Sequence, residues 1–282
     1  MEPTALYQIS ELEFAYPDVA DQERENQFRL GPLNLNIASG RLTAILGRSG
    51  SGKTTLLSIL GLLRKHLTGD FHIQLATGAT NGTELWQTER SLEAFRANNI
   101  GYALQKGELL PFLSLYDNAK LVLKFLQQSD ADIAEKLTPK FEALYQEEAR
   151  IGQLSKVMHS KPSQVSQGQY QRGAIVRALA NNPHIVLADE PTGNLDQHAA
   201  QQAMHIFREL VRSGRSNGQA QSVVVVTHDL KLAIEYADDI VVMSNGQCVA
   251  HYTQELDAGT WHGENTPAMD QQQLEQQLLE IL

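Results

Sequence analysis

Three short runs of this chain are apolar almost without interruption: Leu42-Thr43-Ala44-Ile45-Leu46, His184-Ile185-Val186-Leu187-Ala188 and Ser222 through Val226. Each is too short for an amphipathic helix and reads as a strand covered on both faces, the pattern of a parallel sheet between two layers. Ile100 to Leu104 has the same character and ends at Gln105, and Ile240 to Met243 adds a further strand. Elsewhere the pattern alternates. Leu33-Asn34-Leu35-Asn36-Ile37 repeats with period two, and Leu6, Leu12 and Phe14 among polar neighbours predict half-buried antiparallel strands near a sheet edge. Residues 68–88 read as an irregular, loop-rich strand pair. Asn245-Gly246, between Val242-Met243 and Cys248-Val249, is a strong hairpin signal. Helical stretches are expected just after residue 54, over 89–98, three times over 117–158, and over 169–181, 198–213 and 230–237. In the first of the three, Leu121, Val122, Phe125 and Leu126 form the predicted apolar face. After about residue 256 the pattern lapses at Gly259, Gly263 and Pro267. A Gln-rich segment follows, with Leu274, Leu278, Ile281 and Leu282 on one side of a helix and Leu279 at its margin; docking on its own domain is favoured over a contact with a partner. The alternation of strands and helices places the chain in the α/β class with a mainly parallel sheet.

Between the first apolar run and the helix that follows lies Gly47-Arg48-Ser49-Gly50-Ser51-Gly52-Lys53-Thr54. It reads G-x-x-x-x-G-K-T, a phosphate-binding loop in the strand–loop–helix context that this motif requires. Gly47, Gly50 and Gly52 let backbone N–H groups turn inward around an anion, and the start of the next helix adds its partial positive charge. Lys53 reaches toward the β- and γ-phosphates of a nucleoside triphosphate, the Thr54 hydroxyl suits Mg²⁺, and Thr55 follows directly.

Composition narrows the setting. The 282 residues, 42% hydrophobic, suit one large domain, or one domain with a subdomain and a tail. No apolar run approaches the roughly 20 residues that cross a bilayer, and Met1-Glu2-Pro3-Thr4 lacks the basic and apolar regions of a signal peptide, so a soluble, cytoplasmic protein is expected. The single cysteine, Cys248, excludes an internal disulfide and a multi-cysteine metal site, and is expected to be structural. His66, His159, His198 and His205 show no paired ligand spacing and are expected at the surface. Net charge is −10, and residues 232–282 hold nine Asp+Glu with no Lys or Arg. Nucleic-acid binding through net charge is therefore not expected, and the acidic end would be repelled by anionic lipid headgroups.

From residue 105 onward, short motifs follow one another in a fixed order, and over roughly residues 5–250 the chain resembles the nucleotide-binding subunit of an ABC (ATP-binding cassette) transporter. Val165-Ser166-Gln167-Gly168-Gln169 is similar to the family signature Leu-Ser-Gly-Gly-Gln, departing at Val165 and Gln167 while keeping Ser166, Gly168 and Gln169. Ile185-Val186-Leu187-Ala188-Asp189-Glu190 resembles the Walker B strand, which assigns Asp189 to Mg²⁺ and Glu190 to the attacking water. Gly193-Asn194-Leu195-Asp196 resembles the loop that touches a partner cassette, and Val226-Thr227-His228-Asp229 makes His228 the residue that senses the γ-phosphate. Gln105 matches the loop glutamine near Mg²⁺ and water, the segment through Pro111 and Phe112 matches the part that senses a membrane subunit, and Tyr16 stands where an aromatic ring stacks on adenine.

The resemblance implies a P-loop NTPase core with a mainly parallel sheet, an antiparallel β subdomain and an α-helical subdomain at about 105–180. The ATP-binding domain would cover 1–255, with 256–282 as an acidic, Gln-rich extension. It implies ATP and Mg²⁺ as ligands, a homodimer of cassettes, and a separate transmembrane permease that holds the protein at the inner face of the membrane. Ala188 to Asp196 and Leu109-Leu110-Pro111 look most like the branch of lipoprotein-releasing, macrolide-efflux and cell-division cassettes. An import cassette and a soluble, non-transport ABC ATPase remain as alternatives.

Overall fold

The structure, a computed structural model, describes residues 5–16, 28–76, 78–104, 109–193, 195–216, 221–263 and 266–282. In chain order its elements are β1 (Ala5–Ala15), β2 (Arg29–Ala38), β3 (Leu42–Leu46), α1 (Lys53–Leu60), β4 (Thr68–Leu75), β5 (Gly78–Asn81), α2 (Gly82–Leu85), α3 (Glu89–Asn99) and β6 (Ile100–Ala103). There follow α4 (Leu115–Phe125), α5 (Asp130–Leu144), α6 (Gln146–Arg150), α7 (Leu154–Met158), α8 (Gln167–Leu179) and β7 (Ile185–Asp189). The chain closes with α9 (Gln197–Ser216), β8 (Ser222–Val226), α10 (Leu230–Tyr236), β9 (Asp239–Ser244), β10 (Gln247–Gln254), β11 (Trp261–Gly263) and α11 (Gln271–Ile281).

Two sheets organise these elements. One has seven strands in the order β11-β10-β9-β3-β8-β7-β6, the other four in the order β2-β1-β4-β5. In the larger sheet β9, β3, β8, β7 and β6 run parallel, and β10 and β11 add antiparallel at one edge. Strand periodicity explains the uninterrupted apolar runs. Leu42, Ala44, Leu46, Val223 and Val225 face a core shared with the helices, whereas Ile45, Val224 and Val226 face one shared with α1 and the smaller sheet. Asn245 and Gly246 both have positive φ, 48° and 77°, as the tight turn between β9 and β10 requires.

Several expectations need correction. β1 is central in its sheet, flanked by β2 and β4, and its Leu6, Tyr7, Ile9 and Leu12 are buried. The irregular pair expected over 68–88 is a regular antiparallel pair, β4 and β5, followed by the short α2. Residues 117–158 hold four helices rather than three. On α4 the buried side chains are Leu115, Asn118, Ala119 and Leu123, and Phe125 is 78% exposed. The stripe i, i+4, i+8 from Leu115 joins the core with α5 and α8; of the expected face Val122 packs partly buried against that core, while Phe125 points away. His66 is buried, with Nε2 3.1 Å from the Thr83 hydroxyl, and burial lowers its pKa. His159, His198 and His205 are exposed.

The segment past residue 256 is built into the main body. β11 pairs with β10, Trp261 is fully buried, and Leu274 and Leu278 of α11 join the helical-side core, with α11 against α10. Leu279 stays exposed.

Candidate functional site

The parallel register brings the ends of three strands to one level. Asp189 of β7 lies opposite Val226 of β8, and Ile45 of β3 lies opposite the same Val226. Residues just beyond these ends therefore converge at the carboxyl edge of the sheet, where α/β sheets bind ligands.

The loop after β3 is held tightly. Gly47 has φ 153°, and a Cβ there would lie 2.2 Å from the Met243 carbonyl oxygen; Gly52 has φ 101°, and its Cβ would lie 2.8 Å from both Leu30 and Phe28 side chains. No other residue fits either position without displacing backbone or core. Gly52 is also the N-cap of α1 and supplies no side-chain cap, so the first amides of that helix are left for another acceptor. Ser51 Oγ is buried without a hydrogen-bond partner among the described residues. Lys53 is buried and folds back, its Nζ donating to the carbonyls of Gly47 (2.7 Å) and Arg48 (2.9 Å). Burial pushes its pKa down, while Glu190 and Asp189 pull it up.

Asp189 accepts a hydrogen bond from the Thr54 hydroxyl at 3.1 Å. Burial raises its pKa; the Thr54 bond lowers it, Glu190 raises it and Lys53 lowers it. A buried carboxylate beside a hydroxyl is an all-oxygen donor pair, the type that suits Mg²⁺ with phosphates and water completing the shell. The fit is good, because a cation would relieve the desolvation that Asp189 carries.

Glu190 follows at the turn out of β7. Its φ is +43°, its N–H donates to the Val226 carbonyl (2.9 Å), and its carboxylate lies 3.7 Å from His228 Nδ1. His228 is mostly exposed and sits just before Asp229, which caps α10 through the Leu232 amide at 3.0 Å. Tyr16 completes the cleft: its hydroxyl is 3.1 Å from Thr55 Oγ1 and its ring meets Phe14 edge-on. The cleft measures about 440 Å³ and is lined by Tyr16, Phe28, Ser49, Gly50, Gly52, Lys53, Thr54, Thr55 and Glu190.

Other predicted residues lie elsewhere. Ser166 caps α8 and forms a reciprocal pair with Gln169: Gln169 N–H donates to Ser166 Oγ (3.2 Å), and Ser166 N–H donates to Gln169 Oε1 (3.1 Å). A Cβ at Gly168 would meet nothing within 4 Å. Asp196 caps α9, accepting from the Ala199 amide at 2.9 Å. None of Ser166, Gly168, Gln169 and Asp196 lines the cleft. Arg48 is exposed on the phosphate loop, and Gln105 and Asn194 fall outside the described residues.

Two residues at the cleft escaped sequence reasoning. Phe28 lines it beside Tyr16, their ring centroids 6.5 Å apart. Its signal was present, as a large apolar side chain after the mostly polar residues 20–27, just before β2. Arg64 lies 4.8 Å over the Tyr16 ring and had no signal, since nothing local to residue 64 points back to residue 16.

Comparison with known proteins agrees with this geometry. The family described as "ABC transporter" matches residues 30–193. The chain is 35% identical over 221 residues to the uncharacterized ABC transporter ATP-binding protein MJ0796 of Methanocaldococcus jannaschii, covering 78% of this chain and 87% of that protein. It is 36% identical over 218 residues to the macrolide export ATP-binding/permease protein MacB 2 of Aeromonas hydrophila subsp. hydrophila, covering 77% of this chain and 30% of that protein. Among solved structures, the dimeric MJ0796 cassette superposes with a TM-score of 0.74 at 31% identity, covering 88% of this chain and 98% of that one. The MJ0796 cassette in a post-hydrolysis state bound to ADP and Pi gives the same score at 30% identity and the same coverage. The chain belongs to the ABC transporter family, as an ATP-binding and ATP-hydrolysing cassette.

Proposed function

We propose that this cassette works as a homodimer on a separate transmembrane subunit, in export, lipoprotein release or force transmission across the membrane. One observation carries the pairing. The phosphate-loop residues and Tyr16 converge in the cleft, while Ser166 and Gly168 lie outside it with their helix start exposed. A second copy would bring its signature to the first copy's phosphate. The dimeric MJ0796 cassette and the fused permease of the MacB relatives support this arrangement. Phe112, 66% exposed just after Pro111, suits contact with the membrane subunit, which would place the protein at the inner face.

In this reading Tyr16 and Phe28 receive the base, where aromatic stacking is worth about 1–3 kcal/mol. The amides of Gly50, Gly52 and Lys53 cradle phosphate, and Lys53 exchanges two backbone carbonyls for phosphate oxygens, a gain in charge complementarity. Thr54, Asp189 and Gln105 would hold Mg²⁺, which when bound neutralises charge on the phosphates. Glu190 takes a proton from the attacking water as its oxygen bonds to the γ-phosphorus and the β–γ bridging bond breaks, leaving ADP and phosphate. His228, beside Glu190, hydrogen-bonds the γ-phosphate and reports its loss. Asp196 contacts the second cassette.

The test uses the Glu190→Gln protein with Mg-ATP, extracted in detergent from its host. Recovery of a dimer with a stoichiometric polytopic membrane protein is expected. A protein that stays monomeric with ATP would sink the homodimer, and recovery of soluble partners alone would sink the membrane complex.

A further inference from the structure

The start of α8 is tied to an ion pair with a buried carboxylate through one glutamine used at both ends. Gln169 Oε1 accepts from the Ser166 backbone at 3.1 Å, while Gln169 Nε2 donates to Glu148 Oε1 at 3.0 Å. The same oxygen of Glu148 accepts from Arg172 Nη2 at 2.7 Å. Arg172 lies 4.9 Å over the Tyr145 ring, and the Tyr145 hydroxyl donates to the Gln169 carbonyl. The contacts close into a ring of Gln169, Glu148, Arg172 and Tyr145, with Ser166 joined to it through Gln169.

Glu148, on α6, is only 8% exposed. A carboxylate taken this far from water is costly unless paired and hydrogen-bonded, and here both partners lie on α8. Burial raises the Tyr145 pKa, so that its hydroxyl keeps the proton it donates. The ring fixes the Gln169 side chain, and through it the Ser166 backbone and hydroxyl, relative to α5 and α6. A Ser-Gln capping pair alone is found on many exposed helices and needs no buried charge. What is added here is a charged anchor behind the cap.

We propose that Glu148 and Arg172 are positioning residues for the signature, holding Ser166 and Gly168 in the orientation that meets nucleotide on a second cassette. This rests on the reading that the signature acts across a dimer. Neither residue lines the nucleotide cleft, so their loss acts on pairing and turnover rather than on nucleotide capture by one chain. Glu148 and Arg172 border a cavity of about 210 Å³ with Gln202 and His205, which gives water access to a severed ring.

The test follows ATP-driven dimerisation of the full chain carrying Glu190→Gln, by light scattering with Mg-ATP, alongside binding of a fluorescent ATP analogue to the monomer. Adding Glu148→Ala is expected to weaken pairing about 10-fold or more, the scale of one charge-assisted hydrogen bond, with monomer nucleotide affinity held within about 2-fold. Glu148→Gln keeps an oxygen for Gln169 and is expected to lose less than Glu148→Ala. Arg172→Lys keeps the charge, gives up the planar stack on Tyr145, and tests the ring if the alanine variant does not fold. In the Glu190-intact protein the same changes should lower kcat and leave KM for ATP nearly unchanged. Gly168→Asp, placed in open space on this chain, serves as the control for the signature itself. If Glu148 and Arg172 variants pair like their parent while Gly168→Asp does not, the positioning role is wrong. If Gly168→Asp also pairs normally, or the parent never pairs, the dimer reading underneath it is wrong.

Discussion

Two helix starts in this protein are suited to an anion, and they are built in opposite ways. The start of α1 has a left-handed glycine as its cap and no side chain on its first amides. Around it are a buried lysine, a buried carboxylate and a cleft. The start of α8 is closed on itself by Ser166 and Gln169, is exposed, and lies outside the nucleotide cleft. The first leaves its hydrogen-bonding capacity open and faces a cleft. The second satisfies itself and offers a surface. A capped helix start is stable without ligand, whereas Lys53 at the start of α1 is held by the carbonyls of Gly47 and Arg48, bonds that an anion could exchange for its own oxygens.

That contrast can be broken by separating capture from turnover. The largest effect is expected for Glu190→Gln, which should lower the rate of phosphate release about 10²–10⁴-fold while a fluorescent ATP analogue still binds. An unchanged rate would remove Glu190 as the base. Next is Lys53→Ala, expected to weaken nucleotide binding to the monomer about 10–100-fold by equilibrium titration, because charge-assisted bonds to phosphate are lost. Ser166→Ala should leave that monomer affinity unchanged. Equal losses for both would show that the two helix starts do not divide the work.

Ser166→Ala has a smaller, separate effect on the fold. Loss of an N-cap costs about 0.5–2 kcal/mol, read as a drop in melting temperature of about 2–4 °C per kcal/mol for a chain of this size. The smallest effect concerns Asp189. Burial raises its pKa in the folded protein. The folded state therefore holds the proton more tightly than the unfolded chain does. The stability this gives is present below the unfolded carboxylate pKa of about 3.9 and is lost as pH rises through the folded value. Asp189→Asn should thus melt about 2 °C higher or less at pH 7 without nucleotide, with the gap closing toward pH 3.5. A lower melting temperature at pH 7 would show that the Thr54 bond and Lys53 outweigh burial.

The sequence made the sheet legible wherever a strand was covered on both faces. Val223 to Val226 and Ile185 to Ala188 have few other ways to satisfy that much apolar surface. It was less informative where a second layer decides the outcome. Local spacing on α4 offered two stripes, and only the packing of α5 and α8 selects Leu115, Ala119 and Leu123 over Leu121 and Phe125. β11 has three residues, too few for a period, and Trp261 is buried because β10 and Met269 receive it. At the site, residues carried by short motifs were legible at once, because backbone geometry and chemistry constrain them together. Arg64, Glu148 and Arg172 act through partners 24 or more residues away in sequence, and nothing local to either member points to the other.

Glu190 sits in a left-handed backbone well, a conformation that non-glycine residues occupy at a penalty of about 1–3 kcal/mol. Glycine or asparagine at 190 would fit that well better and is expected to give a scaffold that melts later and, on the proposed role of Glu190, turns ATP over more slowly. Thermostability screens that ignore activity would therefore select against the proposed base at this position.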